Sequence, residues 1–221
     1  MLLAGTSQEK RNAACEIIKT QDGDQAVVAA RNHIQNITQL GARGRLPILN
    51  LAIPSLRSLD GNARSRFLHC VEAIINADQR YTLFEFTLLA LLKDHLSDSA
   101  QKTDKAKFFK FDDVIEELRL LFTVLSRAGA ADAQQAQKTF QRIMATFAKP
   151  VPEPVPASAC TMKGISAALS KLEMLSPILK QSVITACADC VLHDGKVMPA
   201  EAELLQAIAA CLDCPMPPLI T

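Results

Sequence analysis

Two segments of this chain match in one ungapped register, 116 positions apart, and the match limits the folds open to it. Asp78 and Glu85 stand seven residues apart, and so do Asp194 and Glu201. Ahead of the acids, Leu56 pairs with Leu172, Leu59 with Leu175, Phe67 with Val183, Leu68 with Ile184 and Ile75 with Val191. Behind them, Leu88 pairs with Leu204, Leu89 with Leu205, Leu92 with Ile208 and Leu96 with Leu212. A repeat outranks local signals, because each copy is one structural unit and overlooking it mistakes the whole fold. The apolar residues recur at helical spacing and never in the alternation of a strand. One helical hairpin used twice is the expectation, with an acid on either side of each bend.

The rest of the chain extends this to an all-α protein, a helical bundle of about nine or ten helices. Residues 1–44 read as an N-terminal helical pair, turned at Asp22-Gly23-Asp24 and broken at Gly41 and Gly44. Residues 45–97 form the first repeat unit, with a bend or new start at Pro54 and a turn at Asp60-Gly61-Asn62. Residues 98–148 read as a helical spacer whose first helix is capped by Asp113, three residues before Glu116. Pro150, Pro152, Pro154 and Pro156 make 149–158 an extended proline-rich linker, rising about 3.1 Å per residue. Residues 159–221 form the second repeat unit, with Ser176-Pro177 opening a helix.

Composition removes several functions. Lys plus Arg is 24 against 23 for Asp plus Glu, so no basic field recruits nucleic acid or an anionic membrane. Seven cysteines, an odd number set mostly in apolar helical runs, suit a reducing compartment better than a disulfide framework. No apolar run reaches the roughly 18–20 residues that cross a bilayer, and Met1-Leu2-Leu3-Ala4-Gly5 lacks the basic flank of a signal peptide.

The paired acids have two readings. Asp194 and Glu201, with Asp78 and Glu85 in the other copy, are the candidate metal ligands, since carboxylates around a tight turn bind hard cations. Calcium loops, however, use five or more oxygens, and here Lys196 and Met198 occupy the intervening space. The capping reading is stronger. Thr82-Leu83-Phe84-Glu85 is a capping box, and Pro199 with Glu201 suits a helix start although Met198 takes the cap position. Asp78 and Asp194 are then turn residues, and Gly195 supplies a positive φ if the turn needs one.

Cys187, Cys190, Cys211 and Cys214 mimic a zinc-ribbon spacing. If the two helices fold back on each other, the second pair lies about 12 Å too far along for one tetrahedral site. Core thiols are expected instead. His33, His69, His95 and His193 are isolated from any partner nucleophile or metal motif. Lys102, Lys105, Lys107 and Lys110, interleaved with Phe108, Phe109 and Phe111, read as a solvated loop anchored by its aromatics.

The stretch from Ala186 to Pro218, with His193-Asp194-Gly195-Lys196-Val197-Met198-Pro199-Ala200-Glu201 at its centre, resembles the tail of bacterial membrane zinc metallopeptidases of the HtpX-like and CAAX-protease-like kind. Its helix–Asp-Gly–helix unit is similar to the tellurite-resistance TerB domain, and Leu46 to Leu56 with Phe67 to Leu96 resembles the same tail region. The resemblance implies two TerB-like units and a parent protein whose preceding part holds the transmembrane helices and a zinc-binding His-Glu-x-x-His. No catalytic or cofactor-binding residue of that family falls on this chain, and zinc would belong to the parent alone. Gln79 stands where the TerB-like pattern has glycine and Met198 where it has Ser or Thr, which weakens a metal site carried over from it.

The expected function is therefore non-catalytic. The chain reads as the cytoplasmic C-terminal domain of a membrane zinc metallopeptidase, at the inner face of the bacterial inner membrane. Its expected partners are proteins or the parent's catalytic domain, not nucleic acid, and it would meet the membrane only through upstream helices. The alternative is a free-standing TerB-like stress-response domain that binds a divalent metal through the turn carboxylates.

Overall fold

A computed structural model describes residues 2–3, 6–77, 82–96, 106–193, 195 and 197–216, without the side chains of Ala42 and Arg43. Helices dominate; the single isolated β-bridge, Phe108 with Leu175, makes no strand among the described residues. The protein is all-α. Its chain divides into two compact units, Met1–Ser97 and Asp98–Thr221.

The first unit holds α1 (Gln8–Arg57), α2 (Gly61–Asn76) and α3 (Leu83–Leu96), each packed against the other two. Ser7 and Asp60 open α1 and α2, each accepting from an amide three residues on. Although α1 runs for 50 residues, Gly23 (φ +82°) and Gly41 (φ +62°) leave helical geometry, as glycine alone does at little cost. Three segments result, 8–22, 24–40 and 42–57. The expected turn at Gly23 and break at Gly41 are thus present. Gly44 stays helical, and the helix runs through Pro54 to Arg57 with no new start.

The second unit opens with a 3-10 turn, Phe111–Val114, and then α4 (Ile115–Gly129) and α5 (Ala133–Met144). An extended segment and a 3-10 turn, Ala157–Ala159, lead to α6 (Met162–Leu172), α7 (Pro177–Val191) and α8 (Pro199–Cys211). The stretch read as a spacer supplies the centre of this unit. Helix α4 touches α5, α6, α7 and α8, and its Leu118, Leu121, Phe122 and Leu125 are no more than 1% exposed. Periodicity shows that a helix has an apolar face but not which elements cover it. Asp113 does not cap α4: the 3-10 turn encloses it, and Val114 holds the cap position without a side-chain bond. Ser176 holds the cap position of α7 but makes no side-chain bond to it. The backbone amide of Ser176 instead donates to Phe108 O at 3.0 Å, and Met174 O accepts from the Lys107 and Phe108 amides.

The helix starts keep the 116-residue interval. Helices α2 and α7 begin 116 residues apart, and so do α3 and α8; Leu46, inside α1, stands at the same interval from the first residue of α6. Ile75 with Val191, Leu92 with Ile208 and Leu96 with Leu212 are all at most 2% exposed. The copies differ elsewhere: Leu59 is 39% exposed but its counterpart Leu175 only 1%, because residues 107–108 are bonded across the turn beside Leu175.

The correspondence reaches further back than the sequence match. In segment 8–22 the buried Ala14 and Cys15, with the half-buried Arg11 and Ile18, stand 107 residues before Leu118, Leu121, Phe122 and Leu125 of α4. Each unit therefore runs through five helical segments in the same order. The offset grows from 107 to 116 between the first segment and the third, so the second unit has nine residues more, and the extended proline segment falls there.

Candidate functional site

The two bends show what the acids do. At the first, Glu85 Oε2 accepts from the Thr82 amide at 2.7 Å and from Thr82 Oγ1 at 2.9 Å, while Thr82 Oγ1 accepts from the Glu85 amide at 3.2 Å. That is a complete capping box, satisfying two amides that the helix itself leaves open. At the second, Glu201 Oε2 accepts from the Met198 amide at 2.9 Å, and Met198, having no polar side chain, returns nothing comparable. Gly195 has φ +71° and its amide donates to Leu192 O, closing the end of α7. Asp78 and Asp194 lie outside the described residues. Glu85 belongs to the first unit and Glu201 to the second, and each serves its own bend. Among the described residues, no group of three or more His, Cys, Asp or Glu side chains is placed to share a metal ion.

Glu201 does more than cap. It is 3% exposed, and its carboxylate lies on Gly129 in the last turn of α4. A Cβ at residue 129 would stand 1.6 Å from Glu201 Oε1. The glycine is thus the seat on which the start of α8 rests against α4. His193 fastens the same bend to α5. Its Nδ1 donates to Cys190 O at 2.8 Å, which leaves Nε2 to accept from Thr139 Oγ1 at 3.2 Å and Gln135 Nε2 at 3.4 Å.

The cysteines of α7 are interior groups. Burial pushes the Cys187 thiol well above its ordinary range, and the nearby Cys190 adds to the effect. Burial likewise raises Cys190 to about 11, although Ser126 beside it opposes the shift. Thiols held protonated in this way are poor nucleophiles and poor metal ligands.

A second constellation lies between α4 and α5, where the proline-rich segment is bound as a strap along α4. Arg119 Nε donates to Glu153 O at 2.6 Å, Val155 N donates to Thr123 Oγ1 at 3.1 Å, and Arg127 Nη2 donates to Val155 O at 2.9 Å. Residues 119, 123 and 127 recur at the helical interval, so one face of α4 presents all three. From α5, Gln137 Nε2 donates to Glu153 Oε2 at 3.1 Å. Beside Pro154 a cavity of about 300 Å³ remains, walled by Ala133, Ala136, Gln137 and Phe140. The prolines announce the extended segment in the sequence, but the arginines that receive it look there like ordinary surface charges of a helix.

Comparison with protein-family models, with curated proteins and with solved structures finds no match for this chain.

Proposed function

We propose that this chain is a non-catalytic helical module for docking or regulation, and that it serves as the cytoplasmic C-terminal domain of a membrane zinc metallopeptidase. The link to a peptidase rests on the sequence resemblance alone. The scaffold role has one supporting observation: the acids at both bends are bonded to the amides that begin α3 and α8. A carboxylate engaged with a helix start, and in Glu201 buried against Gly129, is a structural group.

The test is direct. The purified chain, incubated with an unfolded protein and zinc, is expected to give no hydrolysis; turnover that a chelator abolishes refutes the reading. Calorimetry with calcium, magnesium and zinc addresses the rival in which Asp78, Glu85, Asp194 and Glu201 hold a divalent ion. No saturable heat is expected. A signal lost in Asp194→Asn would establish the rival.

A further inference from the structure

The strap lengthens a connection that the first unit makes without one. The first unit passes through the same five helical segments and connects the second to the third with only a short break at Gly41. Within the strap no side chain is buried: Val151, Pro152, Pro154 and Val155 are half-buried, and Pro150, Glu153 and Pro156 are exposed. What holds it is a row of hydrogen bonds from Arg119, Thr123, Arg127 and Gln137, three of the four made to strap main-chain atoms. Such a row recognises a conformation and tolerates change in side chains. Alternating prolines suit it, because they preform the extended shape and lower the entropy lost on binding. Beside Pro154 the adjoining cavity leaves apolar wall from Ala133, Ala136 and Phe140 open next to the strap.

We propose that the α4–α5 groove is a docking site for extended, proline-alternating segments of other proteins that carry an acid between prolines, and that strap 150–156 is its resident, displaceable occupant. The polar groups fit such a ligand: two guanidinium groups on α4 meet main-chain carbonyls, and the Gln137 amide on α5 meets the one carboxylate. Tethering makes the strap a strong competitor. At an effective concentration of about 1 mM, the strap weakens a competing peptide by about tenfold if its own dissociation constant for the groove is about 0.1 mM, and by more if it is tighter. The proposal deepens the docking reading by naming the class of partner.

The experiment titrates a labelled peptide, Pro-Val-Pro-Glu-Pro-Val-Pro, into the full chain and into a variant whose residues 150–156 are replaced by a Gly-Ser linker of equal length. Anisotropy follows binding, and circular dichroism with a thermal melt follows folding. The replaced chain is expected to stay folded and to bind saturably. The unaltered chain should bind at least tenfold more weakly, and Arg119→Ala with Arg127→Ala in the replaced chain should cost at least tenfold. A replaced chain that unfolds makes the strap structural and overturns the proposal. So does one that folds and does not bind, or binding that the strap does not weaken. A dimer of the unaltered chain that the peptide dissolves would make a second copy the occupant, which also overturns it. Failure here leaves the hydrolysis test of the scaffold role unaffected, so the two readings fail separately.

Discussion

Met198 shows how a single side chain distinguishes the two bends. The acid three residues along is kept in both copies, but the hydroxyl of Thr82 has no equivalent at Met198. Met198 already has the extended backbone of a cap residue, φ −77° and ψ 146°, and is 51% exposed. Met198→Thr should therefore complete the box and raise stability by about 1 kcal/mol, read as a higher denaturant midpoint at unchanged slope. Cys190 gives a second prediction at this scale. Its thiol is about 9 when exposed and about 11 in the fold, so between those values the folded protein holds a proton that the unfolded chain releases. Stability is then fully present below pH 9 and falls as pH rises to 11, by about 2–3 kcal/mol from this group. Cys190→Ala should flatten that decline; an equally steep one would place its origin elsewhere. The capping acids were legible in the sequence because a cap is local chemistry. The seat of Glu201 on Gly129 was not, since it joins positions 72 residues apart with no motif to connect them.

At the scale of elements, the contact between α4 and the start of α8 leaves no room for a side chain at Gly129. Gly129→Ala places a methyl group inside the buried Glu201 carboxylate and should cost about 1–3 kcal/mol as the helices move apart. In a Glu201→Ala background the same change should be neutral or stabilising by up to about 1 kcal/mol, since alanine is the better helix former. A double-mutant cycle in which the two changes simply add would remove this contact from the account. Helix periods were readable throughout, and the breaks at Gly23 and Gly41 fall on glycines, although Gly44, read in the same way, stays helical. The role of α4 was not readable. Its apolar face looks like that of any amphipathic helix, and only the packed structure shows four neighbours meeting on it. The strap escaped for a related reason: alternating prolines specify an extended conformation, but not whether anything binds it.

At the scale of the whole molecule, each unit has its own interior. The first buries Leu49, Ile53, Ile75, Leu91 and Leu92; the second buries Phe122, Phe140, Leu169, Ile184 and Ile208. Chain cleaved within 97–105 should therefore give two pieces that keep helical circular dichroism, and the second should melt cooperatively. Its interior takes long side chains from α4, whereas at the matched positions of segment 8–22 only Ala14 and Cys15 are buried, with Arg11 and Ile18 half-buried. Apolar area removed from water scales the stabilisation, so the first piece should melt at the lower temperature. An unfolded second piece would show that neither interior suffices by itself. The duplication was legible in part: the hairpins match by register, whereas the earlier segments match only in their inward positions, which no residue identity records.

The nine additional residues ahead of α6 also mark where this architecture accepts foreign sequence. One unit crosses that junction directly and its counterpart takes a detour, so chain length there is decoupled from the interior. An epitope or a protease recognition sequence spliced at Gly41 would label the first unit at the place where its counterpart already carries extra residues.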